Sequence, residues 1–372
     1  MKILSLKLTD YRNCKDVELN FGTNKALIIG KNAQGKTNIL ESLYFLSCNK
    51  SPRTSNVSEF INFDSDLFKI SAKIFKSDTD IDMSYTYNTD KKREIRLNGL
   101  KTNIKDFKSV LKTVLFSTAD LLLLRGTPQD RRDWLDRAIS QIYPAYDDRL
   151  SKYDKIRIQK NNLLKDYAKT GKFNESLFEV YNEQLSVSGS NIIYLRKKYL
   201  KEIENIASVK HSTIISSESF SLAYDCSFLN NEEDNISDIQ TAFMNSLNER
   251  KQEEIRRCQS CVGPHRDDII FYINNQEAVK FASQGQQRTI VLALKLAELD
   301  IITDKTGDNP VLLLDDVLAE LDDIRQNYLL KSIENGVQTI ITSVDTLLFE
   351  EDFLKDVTIY NIENGSISYS DK

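Results

Sequence analysis

"GKNAQGKTN", residues 30–38, follows the short apolar run "KALII" and leads into "ILESLYFL". The spacing is G-x-x-x-x-G-K-T, with Gly30, Gly35, Lys36 and Thr37 in the fixed places. Glycines allow backbone N–H groups to close around a phosphate, and the helix that follows adds its positive N-terminal end. Lys36 is then placed to reach the β- and γ-phosphates, and the Thr37 hydroxyl to meet Mg²⁺. The strand–loop–helix setting sets the motif apart from a chance glycine-rich turn. The whole stretch Gly30, Lys31, Asn32, Ala33, Gln34, Gly35, Lys36, Thr37 and Asn38 therefore reads as a nucleotide cradle. It predicts nucleotide binding but does not name the work done with it.

The chain has 372 residues, enough for two domains or for one domain with a large insertion. Hydrophobic residues make up 40% and charged residues 28%, as in soluble globular proteins. No apolar stretch reaches the length of a membrane span, because "TIVLALKLAELD" is interrupted by Lys295 and Glu298. "MKILSLKLTDYRN" alternates like a strand instead of forming the apolar core of a signal peptide, so a cytoplasmic location is expected. Five scattered cysteines argue against a disulfide framework. Cys258 and Cys261 form a C-x-x-C, but the chain has only two histidines, and two reduced thiols are expected in place of a zinc site. A net charge of −5 does not advertise nucleic-acid binding, though a local basic face can persist under it.

Alternation at Val17, Leu19 and Phe21, at Phe68, Ile70, Ala72 and Ile74, and at Ile81, Met83, Tyr85 and Tyr87 predicts strands. Asn98-Gly99 predicts a hairpin. Antiparallel strands flanking a parallel core follow. From Gly126 the pattern becomes helical. Thr127 is the expected N-cap, Pro128 the first helical residue, and Asp130 the first-turn acid. Two long charged helices are expected over about 146–167 and 175–207. The first carries Leu150, Tyr153 and Ile156 at helical spacing, and the second Leu185, Ile192, Leu195, Tyr199 and Ile203. The second falls short of a sustained heptad and reads as a packed lobe, not a rod. "NNEEDNISD", residues 230–238, reads as an acidic loop. Strands return at Ile269, Phe271 and Ile273, with a turn at Asn274-Asn275.

Two later stretches carry chemistry. In "FASQGQQRTIVLALKLAEL", Ser283 and Gly285 stand just before a helix, the makings of an anion site or of a plain N-cap. In "NPVLLLDDVLAELD", the run Val311 to Leu314 reads as a strand buried on both faces, ending at Asp315-Asp316. A carboxylate there can hold Mg²⁺, and the next can orient or deprotonate an attacking water.

The order of phosphate loop, long insertion, Ser-x-Gly element, acidic strand and "AELD" resembles the ABC-type ATPase head. Together "YRN" (11–13), "GKNAQGKTN", "RTS" (53–55), "RGTPQDRRDWLD", "GPHRDD" (263–268), "FASQGQQR" and "LLLDDVLAELD" are similar to the RecF family, end to end. The resemblance implies an α/β fold: an ABC-type P-loop head with an antiparallel β subdomain, from 1–120 and 259–372, and an inserted α-helical arm lobe, 121–258. It implies ATP and Mg²⁺ as cofactors and an ATP-dependent homodimer on double-stranded or gapped DNA. It also implies work with RecR and RecO toward RecA loading. Lys36 and Asp316 would be catalytic, and Thr37 with Asp315 would hold the metal. Arg12 would touch the nucleotide, and Ser283, Gly285 and Gln286 would complete the partner's site.

The chain departs from the family pattern in places. "FSTADLL" lacks a Pro-Glu pair and leaves Asp120 as the Q-loop candidate; Pro52 precedes Arg53 where histidine is usual; and Thr342 or Ser343 takes the switch position. A hydroxyl there cannot act as a charged switch, so slow hydrolysis is expected. His265 and Arg266 read equally as functional contacts or as a buried pair. Basic clusters at Lys91-Lys92-Arg93 with Arg96, at Lys155, Arg157 and Lys160, and at Arg196-Lys197-Lys198 with Lys201 are candidate DNA contacts. Two rival readings are a transporter's nucleotide-binding subunit and a P-loop kinase. The first leaves the helical insertion without a role, the second the Ser-x-Gly element.

Overall fold

A computed structural model of the chain describes residues 1–229, 235–333 and 336–369. Residues 230–234 of the expected acidic loop lie outside the described set. The chain divides into two compact units. The first comprises Met1–Leu122, Thr213–Ser216 and Gln284–Lys372; the second comprises Leu123–Ser212 and Ser217–Ser283.

The first unit holds two six-stranded sheets. In the mainly parallel one, the order is Ser366–Tyr369, Val357–Glu363, Lys25–Ile29, Thr339–Ser343, Val311–Asp315 and Thr113–Ser117. All neighbours run parallel except the first pair. Val311 to Leu314 are all buried, as a strand covered on both faces requires. The register sets Asp315 beside Ser117 on one side and Thr342 on the other, and Ser343 beside Ile29. The carboxyl ends of four strands thus form one row, where open parallel sheets bind ligands.

The antiparallel sheet runs Cys14–Asn20, Lys2–Tyr11, Leu67–Lys76, Thr79–Asn88, Arg93–Leu97 and Leu100–Lys101. Its alternation buries Leu6, Leu8, Ile70, Ile74, Met83 and Tyr85 on one face, and Asn98 and Gly99 take positive φ in the expected turn. Helix Lys36–Cys48 is buried along most of its length. Its Phe45 meets Phe60 and Tyr85 edge-on at 5.0 and 4.8 Å. One core joins this helix to both sheets, so truncating Phe45 to alanine should cost about 3–5 kcal/mol. The Gln338 side-chain amide adds a pair of bonds that mimic strand pairing. It accepts from the Ile3 amide at 2.6 Å and donates to the Ile3 carbonyl at 2.8 Å, beside the register shift at Ile3/Ser5.

The second unit is built on helices Pro128–Ile142, Tyr146–Thr170, Glu175–Ile214, Ile236–Glu249 and Lys251–Arg257. Thr127 and Asp130 form a full capping box, with Pro128 in the first turn. In the 40-residue helix, Leu185, Ile192, Leu195, Tyr199 and Ile203 are buried as expected. The expected all-helical lobe is corrected in one respect: it also holds a three-stranded antiparallel sheet of Phe220–Asp225, Asp268–Ile273 and Gln276–Glu277. That sheet explains why the compact unit extends to Ser283 where 258 was expected. Asp268–Ile273 pairs with Phe220–Asp225 over six residues, so the "GPHRDD" segment stays with this unit.

Candidate functional site

The loop after Lys25–Ile29 closes against the C-terminal hairpin. A Cβ on Gly30 would lie 2.6 Å from the Ile362 carbonyl oxygen, so only glycine fits there. Gly35 caps helix Lys36–Cys48 at φ 112°, and a Cβ there would meet Asn13 at 2.9 Å. The Gln34 carbonyl accepts from the Gly365 amide at 3.1 Å, and its side chain accepts from the Asn364 amide. The Gly30 amide donates to the Ser343 carbonyl at 3.2 Å. The phosphate loop is therefore fixed from behind by the sheet and by the hairpin.

Lys36 is buried, with its Nζ donating to the Gly30 carbonyl at 2.6 Å and lying 3.6 Å from Asp316. Thr37 Oγ1 donates to Asp315 Oδ1 at 3.0 Å. Thr342 Oγ1 donates to the same oxygen at 2.9 Å and accepts from the Asp316 amide at 2.9 Å. Burial raises the Asp315 carboxyl above its usual value, the Thr342 and Thr37 bonds pull it back, and Asp316 raises it further. A hydroxyl and a carboxylate side by side form a hard-oxygen donor pair suited to Mg²⁺, which takes one or two protein ligands and fills the rest with water and phosphate. Among the described residues there is no cluster of three or more His, Cys, Asp or Glu groups gathered for a metal. The five cysteines are free thiols.

These groups wall a cavity of about 1150 Å³, together with residues 31–38, Arg53, Ser117 to Ala119 and Asp345. Of the two switch-position candidates, Thr342 supplies the side chain bonded to Asp315 and Ser343 supplies a backbone carbonyl. Arg12 also lines the cavity, but its guanidinium is committed. It makes two bonds to Glu41, at 2.5 and 2.9 Å, and lies 4.9 Å over the Phe60 ring. Glu41 also accepts from Ser51 and sits 3.5 Å from Arg53. Sequence reasoning missed Glu41, although a carboxylate inside "ILESLYFL" is the one charge in an apolar helical run. Asp120 accepts from the Ser117 amide and hydroxyl at 2.8 and 2.7 Å and pairs with Lys295 at 3.0 Å. Helix Gln284–Thr306 begins two residues earlier than expected, so Gly285 lies inside its first turn; Gly285 and Gln286 are not in the cavity wall, and Ser283 immediately precedes the helix.

Two candidate basic clusters are corrected. Lys160 is fully buried, paired with Glu254 at 2.5 Å, and Arg157 bonds Asp154 at 2.9 Å. Arg196 is buried against Asp136 at 2.8 Å and donates to the Pro264 carbonyl at 2.6 Å. Burial of an aliphatic stem forces such charges to find partners, and a paired buried cation cannot meet DNA. In the hairpin cluster Lys91 and Arg93 are exposed, whereas Lys92 and Arg96 have acidic neighbours. His265 is held at both ring nitrogens, by Tyr153 and the Ser260 carbonyl, and burial lowers its pKa to about 3. Arg266 remains exposed.

The family model described as the RecF/RecN/SMC N-terminal domain matches residues 2–368. The DNA replication and repair protein RecF of Bacillus velezensis is 37% identical over 99% of this chain and 100% of its own. That of Natranaerobius thermophilus is 39% identical over 98% and 97%. The solved structure of the recombination mediator protein RecF-ATP in the RecFOR pathway superposes with a TM-score of 0.91, at 33% identity over 99% and 97% of the two chains. An Smc head bound to the C-terminal winged-helix domain of ScpA shares the fold, with a TM-score of 0.56 at 15% identity.

Proposed function

The chain belongs to the RecF family, and from that premise we propose that it is an ATP-driven recombination mediator in DNA replication and repair. The 3.0 Å contact between Thr37 of the phosphate loop and Asp315 of the acidic strand carries this reading, because it puts a metal-ready oxygen pair beside the phosphate cradle. Lys36 contacts the β- and γ-phosphates, and Thr37 with Asp315 holds Mg²⁺, which supplies charge neutralisation when bound. Asp316 orients or deprotonates the water. Its left-handed backbone, φ 51°, turns it off the strand axis, and Lys36 balances its charge at 3.6 Å.

The first unit is the ATPase head and the second the short arm. Gly285 and Gln286 lie outside the cavity of their own chain. Their role, with Ser283, is to cap the nucleotide of a second copy. The resulting homodimer closes on duplex or gapped DNA in the cytoplasm, and slow, DNA-stimulated hydrolysis releases it. RecR with RecO then directs RecA to the gap. Lys36→Arg removes tight nucleotide binding, and Ser283→Arg leaves binding intact but blocks pairing. Sedimentation with a non-hydrolysable ATP analogue, with and without gapped duplex, should give doubled mass for the wild type alone. A Ser283→Arg chain that still doubles its mass overturns the composite site.

A further inference from the structure

At the rim of the cavity stands an aromatic ring with no packing role. Phe63 lines the cavity rim, yet its side chain is fully exposed. Isolated surface apolar residues are common and usually sit on adaptable loops. The backbone here is pinned on several sides. Tyr11 and Ile61 form a β-bridge, and the Asn62 amide donates to the Asp10 carbonyl at 2.9 Å. The Asn62 side chain donates to the Arg12 carbonyl. The Ser65 amide closes a tight turn onto the Asn62 carbonyl at 3.0 Å, and Asp64 pairs with Lys15 at 3.0 Å. The same Arg12–Asn13 turn meets the phosphate end, where Asn38 donates to Asn13 at 2.7 Å and Gly35 abuts Asn13. A single rigid turn thus ties an unpacked aromatic face to the phosphate cradle. Such a ring, carried on a backbone fixed before any ligand arrives, suits stacking on a planar heterocycle.

We propose that Phe63 is the platform on which the adenine of the bound nucleotide stacks. This rests on the reading that the cavity holds ATP. Arg53, half exposed and steadied by Asn38 at 2.8 Å, lines the same cavity.

The test compares ADP with pyrophosphate, which lacks the base, by calorimetry at concentrations where sedimentation gives a single monomer mass. Phe63→Ala should weaken ADP about tenfold and leave pyrophosphate unchanged, while Phe63→Trp retains ADP affinity. In Phe63→Trp, ADP should also change the emission of the new indole, whereas pyrophosphate should not. Equal weakening of both ligands, or no change in either, overturns the platform. A Phe63→Ala defect confined to the ATP-dependent doubling of mass, with ADP affinity intact, overturns it in favour of a contact between copies. Failure of the wild type to bind either ligand would instead remove the ATP reading on which it rests.

Discussion

At Asp315 two hydroxyls share one carboxylate oxygen. Thr37 and Thr342 both donate to it, and Thr342 also anchors the Asp316 amide. Thr342 is buried, so removing its hydroxyl leaves that amide without its partner. Thr342→Val keeps the shape and deletes both bonds. Nucleotide affinity should change by less than about threefold, since the phosphates touch neither bond. Single-turnover hydrolysis should fall by at least about tenfold, because Asp316 loses the anchor that holds its left-handed backbone. Thr342→Ser should restore most of it. Equal loss of binding and hydrolysis in Thr342→Val would show that the residue supports the cradle and not the water. That Lys36, Thr37 and Asp315 meet in one site was legible in sequence because each sits at a fixed spacing from a strand or loop. The commitment of Arg12 to Glu41 was not, because the same guanidinium could equally face solvent or phosphate until helix Lys36–Cys48 is packed beside it.

Among the elements of the second unit, two segments conspicuous in sequence turn out to bind each other. Arg131 of helix Pro128–Ile142 bonds Asp268 through two nitrogens at 2.8 and 2.7 Å, and Arg132 donates to the Asp267 carbonyl at 2.6 Å. Tyr224 donates to the Asp267 carboxylate at 2.5 Å. The segments were visible as motifs, but their meeting was not, since periodicity reports the face of a helix and says nothing of a partner over a hundred residues away. One acid and one base here oppose each other in pH. Burial raises the Asp267 carboxyl to about 6, although Tyr224 and Arg196 pull it down. The folded state therefore holds that proton more tightly than the unfolded chain; its contribution is full below the ordinary carboxylate value and fades as pH rises through about 6. His265, lowered to about 3 by burial, acts in reverse: the unfolded chain takes up the proton first, so stability grows as pH rises from about 3 to the ordinary imidazole value. Trp134, the only tryptophan, is buried in this unit and reports its unfolding by emission. In Asp267→Asn the melting temperature should climb more steeply between pH 4 and 6 than in the wild type. In His265→Gln it should fall across the same interval. Parallel pH profiles in all three proteins would contradict the opposed titrations.

For the whole molecule the question is how a chain of net charge −5 holds a polyanion. Clusters of lysine and arginine were easy to see in sequence, yet Lys160 and Arg196 are spent inside the second unit and Arg157 is paired with Asp154. Linear sequence cannot tell a solvated cation from a buried one whose acid lies far along the chain. Of the three clusters, Lys91, Lys92, Arg93 and Arg96 on the hairpin and Lys155, Lys198 and Lys201 on the long helices stay exposed, with Lys92 and Arg96 beside acidic side chains. On the proposed reading, each copy offers one set of these cations to the DNA phosphates. The logarithm of affinity falls with the logarithm of salt concentration at about −0.9 per phosphate neutralised. If ATP pairs two copies on one duplex, the number of phosphates doubles, and so should the slope. Titrations of a short duplex over a range of salt concentrations should therefore give about twice the slope with a non-hydrolysable ATP analogue as with ADP. Lys36→Arg should show the shallow slope under both conditions, because it cannot form the pair. A steep slope with ADP would mean that a single copy carries a full DNA face. Equal shallow slopes in the wild type would mean that pairing occurs without both copies touching the same duplex.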